Sequence, residues 1–331
     1  MRVQRPHLMI LGAGASVAAC PAGEKHGHRL PVMKNFVDVL ELRPLLAEHG
    51  IKDNLRDFEA LFQDLSDDAT KADLVARLTN RVWDYFTTLE LPDEVNLYDH
   101  LVLSLRAKDV IGTFNWDPLL LQAYDRVGRA MYRRGYDPKR LLPHIAFLHG
   151  NVAIGYCAPD GQKGGIRERC RKCGKPYEPS RLLYPVRRKG YTTDPNVGAE
   201  WSDVQNALKR TYLVTIFGYS APNADIEARD LMLDAWGGKD ARVMEEFELI
   251  DIVPRGVVRK NWDEFIHTHH YNYATDFYES YAGWHPRRAC EDVFSRTLDV
   301  VWTEKHPLPT TAPVDELLDW LRPYFERELA D

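Results

Sequence analysis

An amide and a carboxylate stand close together just past an apolar run of the chain. The run covers residues 110–114, and Asn115, Trp116 and Asp117 follow it directly. A side-chain amide can hold water or a hydroxyl group by hydrogen bonds, and a carboxylate can accept a proton or stabilise positive charge. These residue types predict a polar site at the end of the run, where Pro118 begins a helix.

A histidine occupies the same kind of position after the next apolar run. His149, Gly150 and Asn151 follow residues 145–148. Imidazole titrates near neutral pH and can therefore take up or release a proton under ordinary conditions. A single histidine is more often structural, but a histidine expected on the same sheet edge as Asn115 is favoured as a functional residue.

Small or polar residues also follow the other apolar runs. Those after the first run are Gly12, Ala13, Gly14, Ala15 and Ser16, and those at the ends of the last two are Gly218, Tyr219, Ser220 and Asp251. Glycines let the backbone approach a phosphate closely, and the N-terminus of a following helix attracts anions. The third glycine of the usual dinucleotide motif is replaced by Val17, so a tight turn without a ligand remains the alternative.

Five apolar runs alternate with segments of helical periodicity. The runs cover residues 7–12, 109–114, 145–150, 212–218 and 248–253. Strands separated by helices predict an α/β fold with a Rossmann-like, doubly wound parallel sheet. In such sheets ligands bind beyond the carboxyl ends of the strands, which is where the polar residues stand.

The predicted organisation is one large domain with two insertions and an extension. The sheet domain spans residues 1–255, with a helical insertion over about 55–106 and a small cysteine-containing module over about 155–195. Residues 256–331 form an aromatic-rich C-terminal extension that ends in a helix.

Two further groups of titratable residues are expected to be structural. His267, His269 and His270 lie among many aromatic residues, without a Cys or an acidic pair at ligand spacing, so packing or an interface is favoured over metal binding. Glu227 and Asp230 lie on a predicted helix and are expected to face solvent.

The composition excludes several classes of protein. The 331 residues carry a formal net charge of −6, so no global basic surface suggests nucleic-acid binding. No apolar stretch reaches about 18 residues, so no membrane span is predicted. Five cysteines, an odd number with three clustered, favour a reducing compartment, and we expect the protein in the cytoplasm.

Four short motifs, in this order, resemble the SIR2 family, and more specifically the SIR2-like proteins of bacteria. They are GAGAS at 12–16, TFNWD at 113–117, LHGN at 148–151 and IFGYSAPNAD at 216–225. The resemblance covers about residues 7–255. It implies a Rossmann-like sheet that binds NAD+ as a substrate rather than as a redox carrier.

The resemblance also implies roles for individual residues. His149 would be the catalytic base, and Asn115 and Asp117 would be catalytic residues beside the nicotinamide ribose. The residues that would face the diphosphate are Gly12, Ala13, Gly14, Ala15 and Ser16. Those that would line the adenosine ribose and phosphates are Gly218, Tyr219 and Ser220, and Asp251 would lie at the adenosine end, where sirtuins often carry Asn.

Sirtuins hold a structural zinc ion between two Cys-x-x-Cys pairs, and three cysteines stand in the matching region here. Cys170 and Cys173 form one pair, and Cys157 would begin the other. Asp160 stands where the second cysteine of that pair would be, and carboxylates can bind zinc. The resemblance thus implies a candidate Zn²⁺ site of four residues. The alternative is a relic of a zinc module with free thiols.

The resemblance implies an enzyme that cleaves the nicotinamide–ribose bond of NAD+. Two sirtuin features are missing: the Asp-Phe-Arg of the loop after the first motif, and the strand that pairs with an acyl-lysine peptide. Their absence favours an NAD+ hydrolase that yields nicotinamide and ADP-ribose, as in bacterial antiphage defence, activated by a partner protein or by homo-oligomerisation. A protein-lysine deacylase and a non-catalytic sensor of NAD+ or ADP-ribose remain the alternatives.

Overall fold

Nine strands form two sheets in the part of the chain that the structure describes. The structure is a computed structural model that describes residues 5–52, 55, 57–186, 189–220 and 225–330. The strands are β1 (His7–Leu11), β2 (Val110–Thr113), β3 (His144–Phe147), β4 (Ile154–Cys157), β5 (Gln162–Gly165), β6 (Glu178–Pro179), β7 (Leu213–Phe217), β8 (Glu246–Ile250) and β9 (Tyr271–Ala274).

The helices surround the larger sheet. They are α1 (Ala13–Ala19), α2 (Phe36–Val39), α3 (Arg43–Glu48), α4 (Phe58–Asp67), α5 (Ala72–Thr87), α6 (Leu97–Ser104), α7 (Leu119–Arg133), α8 (Pro138–Leu141), α9 (Pro195–Leu208), α10 (Ile226–Trp236), α11 (Arg255–Asn261), α12 (Tyr281–Trp284), α13 (Ala289–Phe294) and α14 (Val314–Ala330). No helix of the described ranges is both long and apolar enough to cross a membrane.

The larger sheet has six strands in the order β3-β2-β1-β7-β8-β9, and every neighbouring pair is parallel. β2 and β3 extend the sheet on one side of β1, and β7, β8 and β9 extend it on the other side. This is the doubly wound Rossmann arrangement, with its topological switch point between β1 and β7. The prediction of a Rossmann-like α/β fold is confirmed.

The two faces of the sheet carry separate hydrophobic cores because side chains alternate along each strand. In β1, Met9 and Leu11 join a core with the buried faces of α4 to α7 and α14. Leu8 and Ile10 point to the opposite face, where α9, α10 and α11 cover the sheet. The strands are therefore buried on both faces, which explains why they read as continuous apolar runs.

The sixth strand, β9, is absent from the sequence prediction. Its four residues, YNYA, include a polar Asn272, and all but Ala274 are only partly buried, because β9 pairs with β8 on one side and forms the edge of the sheet. It lies beyond residue 255, where the sequence predicts a domain boundary. That boundary stays a prediction, while the sheet itself continues past it.

The smaller sheet forms the predicted cysteine-containing module, inserted between β3 and α9. It is antiparallel, with the order β5-β4-β6. A buried carboxylate attaches it to the larger sheet: both oxygens of Glu200 lie 2.8 Å from Lys163 Nζ on β5, and Glu200 also accepts a hydrogen bond from the Phe147 amide at 3.0 Å. The module is therefore tied to the end of β3, two residues before His149.

Candidate active site

A small cavity of about 60 Å³ lies at the carboxyl ends of β1, β2 and β3. Its polar lining comes from Ser16, Asn115, Asp117 and His149. Its other lining residues are Ala13, Leu30, Pro31, Met33, Phe36, Phe86, Phe114 and Trp116. Residues separated by more than a hundred positions in the chain thus meet at one polar site with a largely apolar wall. The space is enough for a few water molecules.

The side chain of Asn115 is held in one orientation. Its Nδ2 donates to the Gly12 carbonyl and to Ser16 Oγ, both at 2.9 Å. An amide nitrogen has two hydrogens, and these two bonds use both. Oδ1 is therefore the atom of Asn115 that can accept a hydrogen bond from a molecule in the cavity.

Asp117 is bound at both of its carboxylate oxygens. Ser16 Oγ donates to Oδ2 at 2.7 Å, and the Leu119 amide donates to Oδ1 at 3.1 Å, where α7 begins. The Tyr98 hydroxyl lies 2.7 Å from Ser16 Oγ and supplies it with a hydrogen in turn. Burial raises the pKa of Asp117 above its usual range. The carboxylate thus anchors Ser16 and the start of α7.

Trp116 forms part of the cavity wall. Its ring packs edge-on against Phe36 and Phe86, with centroids 6.1 and 5.7 Å apart, and lies 5.2 Å from the ring of Tyr184. The Trp therefore fastens the end of β2 to the apolar layer formed by α2 and α5.

His149 follows β3 and lies in a buried polar cluster. Its Nε2 is 2.5 Å from the Tyr191 hydroxyl and 3.3 Å from Asp225 Oδ2. Burial and the positive charge of Lys189 lower its pKa, against the opposing effect of the Asp225 carboxylate. The lowered pKa favours the neutral imidazole, which is the form that can accept a proton.

Sequence reasoning missed three members of this cluster: Lys189, Tyr191 and Asp225. Asp225 is the last residue of the motif IFGYSAPNAD, so the sequence indicates its place near the end of β7. The sequence does not indicate its contact with His149. Lys189 and Tyr191 lie in a segment without periodicity, which gives no such signal. Glu227, which was expected to face solvent, is half-buried and accepts hydrogen bonds from the backbone amides of residues 189–191 at 2.9 to 3.2 Å.

The glycines at the switch point allow two backbones to touch. The Gly14 amide donates to the Gly218 carbonyl at 3.1 Å. A Cβ on Gly12 would lie 2.5 Å from the Gly218 oxygen, and one on Gly218 would lie 2.4 Å from the Ala15 nitrogen. Gly218 also has a φ of +61°, which disfavours other residues. The close packing of α1 against the end of β7 is by itself a sufficient reason for these glycines. Their predicted contact with a diphosphate stays a proposal.

The remaining predicted residues lie on the β7 and β8 side of the same edge, outside the cavity. The Tyr219 ring is buried and stacks on Phe114 at a centroid distance of 4.1 Å. Ser220 is exposed. Asp251 comes directly after β8, and its Oδ1 accepts a hydrogen bond from the Val253 amide at 2.9 Å. Tyr219 and Asp251 therefore make local structural contacts, and Ser220 faces solvent.

The four predicted metal ligands meet in the cysteine-containing module. The ligand atoms of Cys157, Asp160, Cys170 and Cys173 all lie within 4.8 Å of one another. Asp160 Oδ2 is 3.5 Å from the sulfurs of Cys157 and Cys170, and the sulfurs of Cys157 and Cys173 are 3.4 Å apart. Three thiolates and one carboxylate are a donor set that suits tetrahedral zinc.

The two halves of this cluster have the same backbone turn. Gly161 donates its amide hydrogen to the Cys157 carbonyl, and Gly174 donates to the Cys170 carbonyl, both at 2.8 Å. Both glycines have positive φ angles, +61° and +72°. Cys-x-x-Asp-Gly thus folds as Cys-x-x-Cys-Gly does, which places Asp160 as the counterpart of Cys173. Within the described part of the chain, no other group of His, Cys and acidic residues is arranged to hold a metal.

No protein-family model matches this chain, and no curated protein matches it either. Solved structures that resemble it include one on the structural basis of sirtuin substrate affinity, with 15% identity, coverage of 87% of this chain and 93% of that chain, and a TM-score of 0.41. A Sir2 bound to an acetylated peptide has 14% identity, coverage of 89% and 93%, and a TM-score of 0.37. A Sir2 homolog–NAD complex has 14% identity, coverage of 97% and 91%, and a TM-score of 0.37.

Proposed function

We propose that this chain is an NAD+ hydrolase that cleaves the nicotinamide–ribose bond to give nicotinamide and ADP-ribose. The observation that carries the proposal is the cavity at the carboxyl ends of β1, β2 and β3, where Asn115 and His149 meet. An oriented amide oxygen and a neutral imidazole at one site are suited to holding a water molecule and removing its proton.

The chemistry follows from these two groups. As the bond between ribose C1′ and nicotinamide breaks, its electron pair leaves with nicotinamide and positive charge builds on the ribose. Asn115 Oδ1 accepts a hydrogen bond from water and holds it facing C1′. The water oxygen bonds to C1′, and its proton passes to His149. Ser16 and Asp117 hold Asn115 in place through the hydrogen bonds at the end of β2.

The cavity has to enlarge before a nucleotide can enter it. Its volume of about 60 Å³ holds water but not a nicotinamide riboside. One part of its wall, formed by Leu30, Pro31 and Met33, comes from a segment outside the sheet. We propose that this segment moves away when NAD+ binds, with Gly12 to Ser16 near the diphosphate and Gly218 to Ser220 and Asp251 toward the adenosine.

The four-ligand cluster is proposed to bind Zn²⁺ in a structural role. A zinc ion there would cross-link the two turns of a module that has only a small apolar core, formed by Cys157, Cys170 and Tyr177. The four protein ligands would fill a tetrahedral site, which leaves no open position for a substrate.

We further propose that the enzyme acts in the cytoplasm of a bacterium, in defence against phage, and that a partner protein or self-association triggers it. This rests on the resemblance of the four motifs to SIR2-like proteins. A plaque assay on cells that express the chain or its Asn115→Ala variant tests it. Protection that needs Asn115 supports the role, and equal plaque numbers with and without the chain contradict it.

The reaction itself is tested by following nicotinamide release from NAD+, with and without an acetylated peptide. Release of nicotinamide and ADP-ribose without peptide supports the hydrolase. Release only with peptide, with formation of O-acetyl-ADP-ribose, would establish a deacylase instead. Saturable NAD+ binding without release, both at high protein concentration and after addition of extract from phage-infected cells, would establish a sensor.

A further inference from the structure

A single buried carboxylate, Asp225, collects hydrogen-bond donors around His149. Its Oδ1 accepts from the Tyr191 hydroxyl at 2.8 Å and lies 3.0 Å from Lys189 Nζ. Its Oδ2 accepts from the Tyr219 hydroxyl at 3.2 Å and lies 3.3 Å from His149 Nε2. Burial alone would raise the pKa of Asp225, but contact with His149 and Lys189 holds it below its usual range. Asp225 is therefore an anion that only accepts hydrogen bonds.

The hydrogens of this cluster can be assigned because each group has a fixed number of them. The single Tyr191 hydroxyl hydrogen could go to Asp225 Oδ1 or to His149 Nε2. If it went to Nε2, that nitrogen would be bare and would face the Asp225 carboxylate at 3.3 Å, which is repulsive. If Nε2 carries the hydrogen, the oxygens of Asp225 and Tyr191 both accept it favourably.

We propose that Asp225 is a positioning residue that holds His149 in the tautomer with hydrogen on Nε2, so that Nδ1 is the nitrogen that accepts the proton. The link to catalysis rests on the proposed function, in which His149 is the base. Lys189 balances the negative charge, which limits the cost of burying the Asp225 carboxylate.

An amide in place of the carboxylate would change the tautomer. Asn at position 225 can turn its NH₂ group toward His149 and donate to Nε2, which moves the ring hydrogen to Nδ1. The base then presents a hydrogen where it should accept one. Replacing Lys189 with Met at the same time avoids leaving a buried ammonium group without a partner.

A second histidine–carboxylate pair, near the other end of β3, provides a matched control. His144 Nε2 at the start of β3 lies 3.0 Å from Asp203 Oδ2, and both side chains are exposed. Asp203→Asn therefore changes a histidine–aspartate contact five residues from His149 without touching the cavity.

The test measures the His149 tautomer and NAD+ cleavage in the same proteins. Protein with ¹⁵N-labelled histidine is studied at mildly alkaline pH, where bare and protonated ring nitrogens give well-separated ¹⁵N shifts. His149→Gln identifies the His149 signals. We expect hydrogen on Nε2 in the wild type and on Nδ1 in the Asp225→Asn/Lys189→Met double variant. We also expect kcat of the double variant to fall by on the order of 10²–10⁴-fold with little change in KM, and Asp203→Asn to match the wild type in both respects.

Three results would overturn the assignment. Hydrogen on Nδ1 of His149 in the wild type would overturn the assignment, whether or not NAD+ is cleaved. A double variant that keeps the wild-type tautomer and kcat would overturn the role of Asp225 but not the proposed hydrolase function. If the double variant does not fold, Tyr191→Phe takes its place: it retains Asp225 and should keep hydrogen on Nε2, and a reversed tautomer would show that Tyr191 rather than Asp225 sets it. Absence of NAD+ cleavage by the wild type would contradict the proposed function. The tautomer of His149 in the wild type would still decide the role of Asp225.

Discussion

Asn115 Nδ2 lies 2.9 Å from Ser16 Oγ, so the end of β2 is hydrogen-bonded to the first turns of α1. The same hydroxyl donates to Asp117 and lies within hydrogen-bond distance of Tyr98. One small side chain therefore joins three polar groups beneath the cavity. The orientation of Asn115, on which the proposed chemistry depends, follows from this hydroxyl.

We expect Ser16→Ala to lower both stability and activity. The substitution leaves buried groups of Asn115, Asp117 and Tyr98 short of a partner, which costs about 1–3 kcal/mol of unfolding free energy. Urea denaturation measures this loss. Ser202→Ala, which removes a hydroxyl from the exposed side of α9, is the control and should stay within about 0.5 kcal/mol of wild type. Equal stabilities of the two variants would contradict the role of Ser16.

The switch-point packing predicts that Gly218→Ala is strongly destabilising. A Cβ there would lie 2.4 Å from the Ala15 nitrogen, and the φ of +61° adds strain. The two effects together predict a loss of at least about 2 kcal/mol, seen as a lower midpoint in urea. Gly256→Ala in α11 is the control, because its Cβ meets nothing within 4 Å and alanine favours a helix. A Gly218→Ala protein as stable as wild type would show that α1 and β7 do not approach so closely.

The metal cluster predicts one equivalent of zinc in purified protein. Asp160→Cys should keep this equivalent, because it completes a set of four thiolates, whereas Asp160→Ala should release zinc to a weaker chelator than wild type does. Metal analysis across a chelator series measures both. Cys290→Ser removes a thiol that is not part of the cluster and should leave the zinc content unchanged. Zinc-free wild-type protein from zinc-supplemented cells would contradict the site.

A buried carboxyl on β8 predicts an unusual dependence of stability on pH. Burial raises the pKa of Glu248 from 4.5 to about 7, against hydrogen bonds from Tyr281, Asn272 and Thr215. Because the folded pKa is the higher one, the contribution of Glu248 to stability is present below pH 4.5 and is lost as the pH rises toward 7 and beyond.

Glu248→Gln cannot ionise and should avoid that loss. Relative to wild type, its unfolding free energy should rise by up to about 1.4 kcal/mol per pH unit across this interval, or about 3 kcal/mol in all. Urea denaturation at several pH values measures the difference. Glu316→Gln, at an exposed position of α14, controls for the loss of one carboxylate. A constant difference between Glu248→Gln and wild type would contradict the raised pKa.

The positions of Asn115 and His149 could be predicted because parallel strands bring their carboxyl ends to one edge. A polar residue that follows an apolar run is therefore predicted to lie at this edge of the sheet. The partners of His149 could not be found this way: Lys189 and Tyr191 come from a loop, and only tertiary packing brings them to Asp225. The strand β9 escaped detection because an edge strand needs no continuous apolar run.

Two residues with predicted roles at the substrate also hold neighbouring groups in place. The resemblance implies that Ser16 faces a diphosphate, and in the structure its hydroxyl bonds to Asn115 and Asp117. The resemblance implies that Asp117 acts in catalysis, and in the structure both of its oxygens hold neighbouring groups in place. Such contacts depend on side-chain directions that spacing along the chain does not reveal. Both residues remain proposed members of the site.

Asn115 and His149 are proposed to act together on NAD+, and nicotinamide release by single variants tests this most directly. Asn115→Ala and His149→Ala are compared with wild type and with Asp203→Asn at equal protein and NAD+ concentrations. We expect wild type and Asp203→Asn to release nicotinamide at the same rate without any acylated peptide, and each alanine variant to lose at least about 10²-fold. Release by either alanine variant at the wild-type rate would contradict the claim.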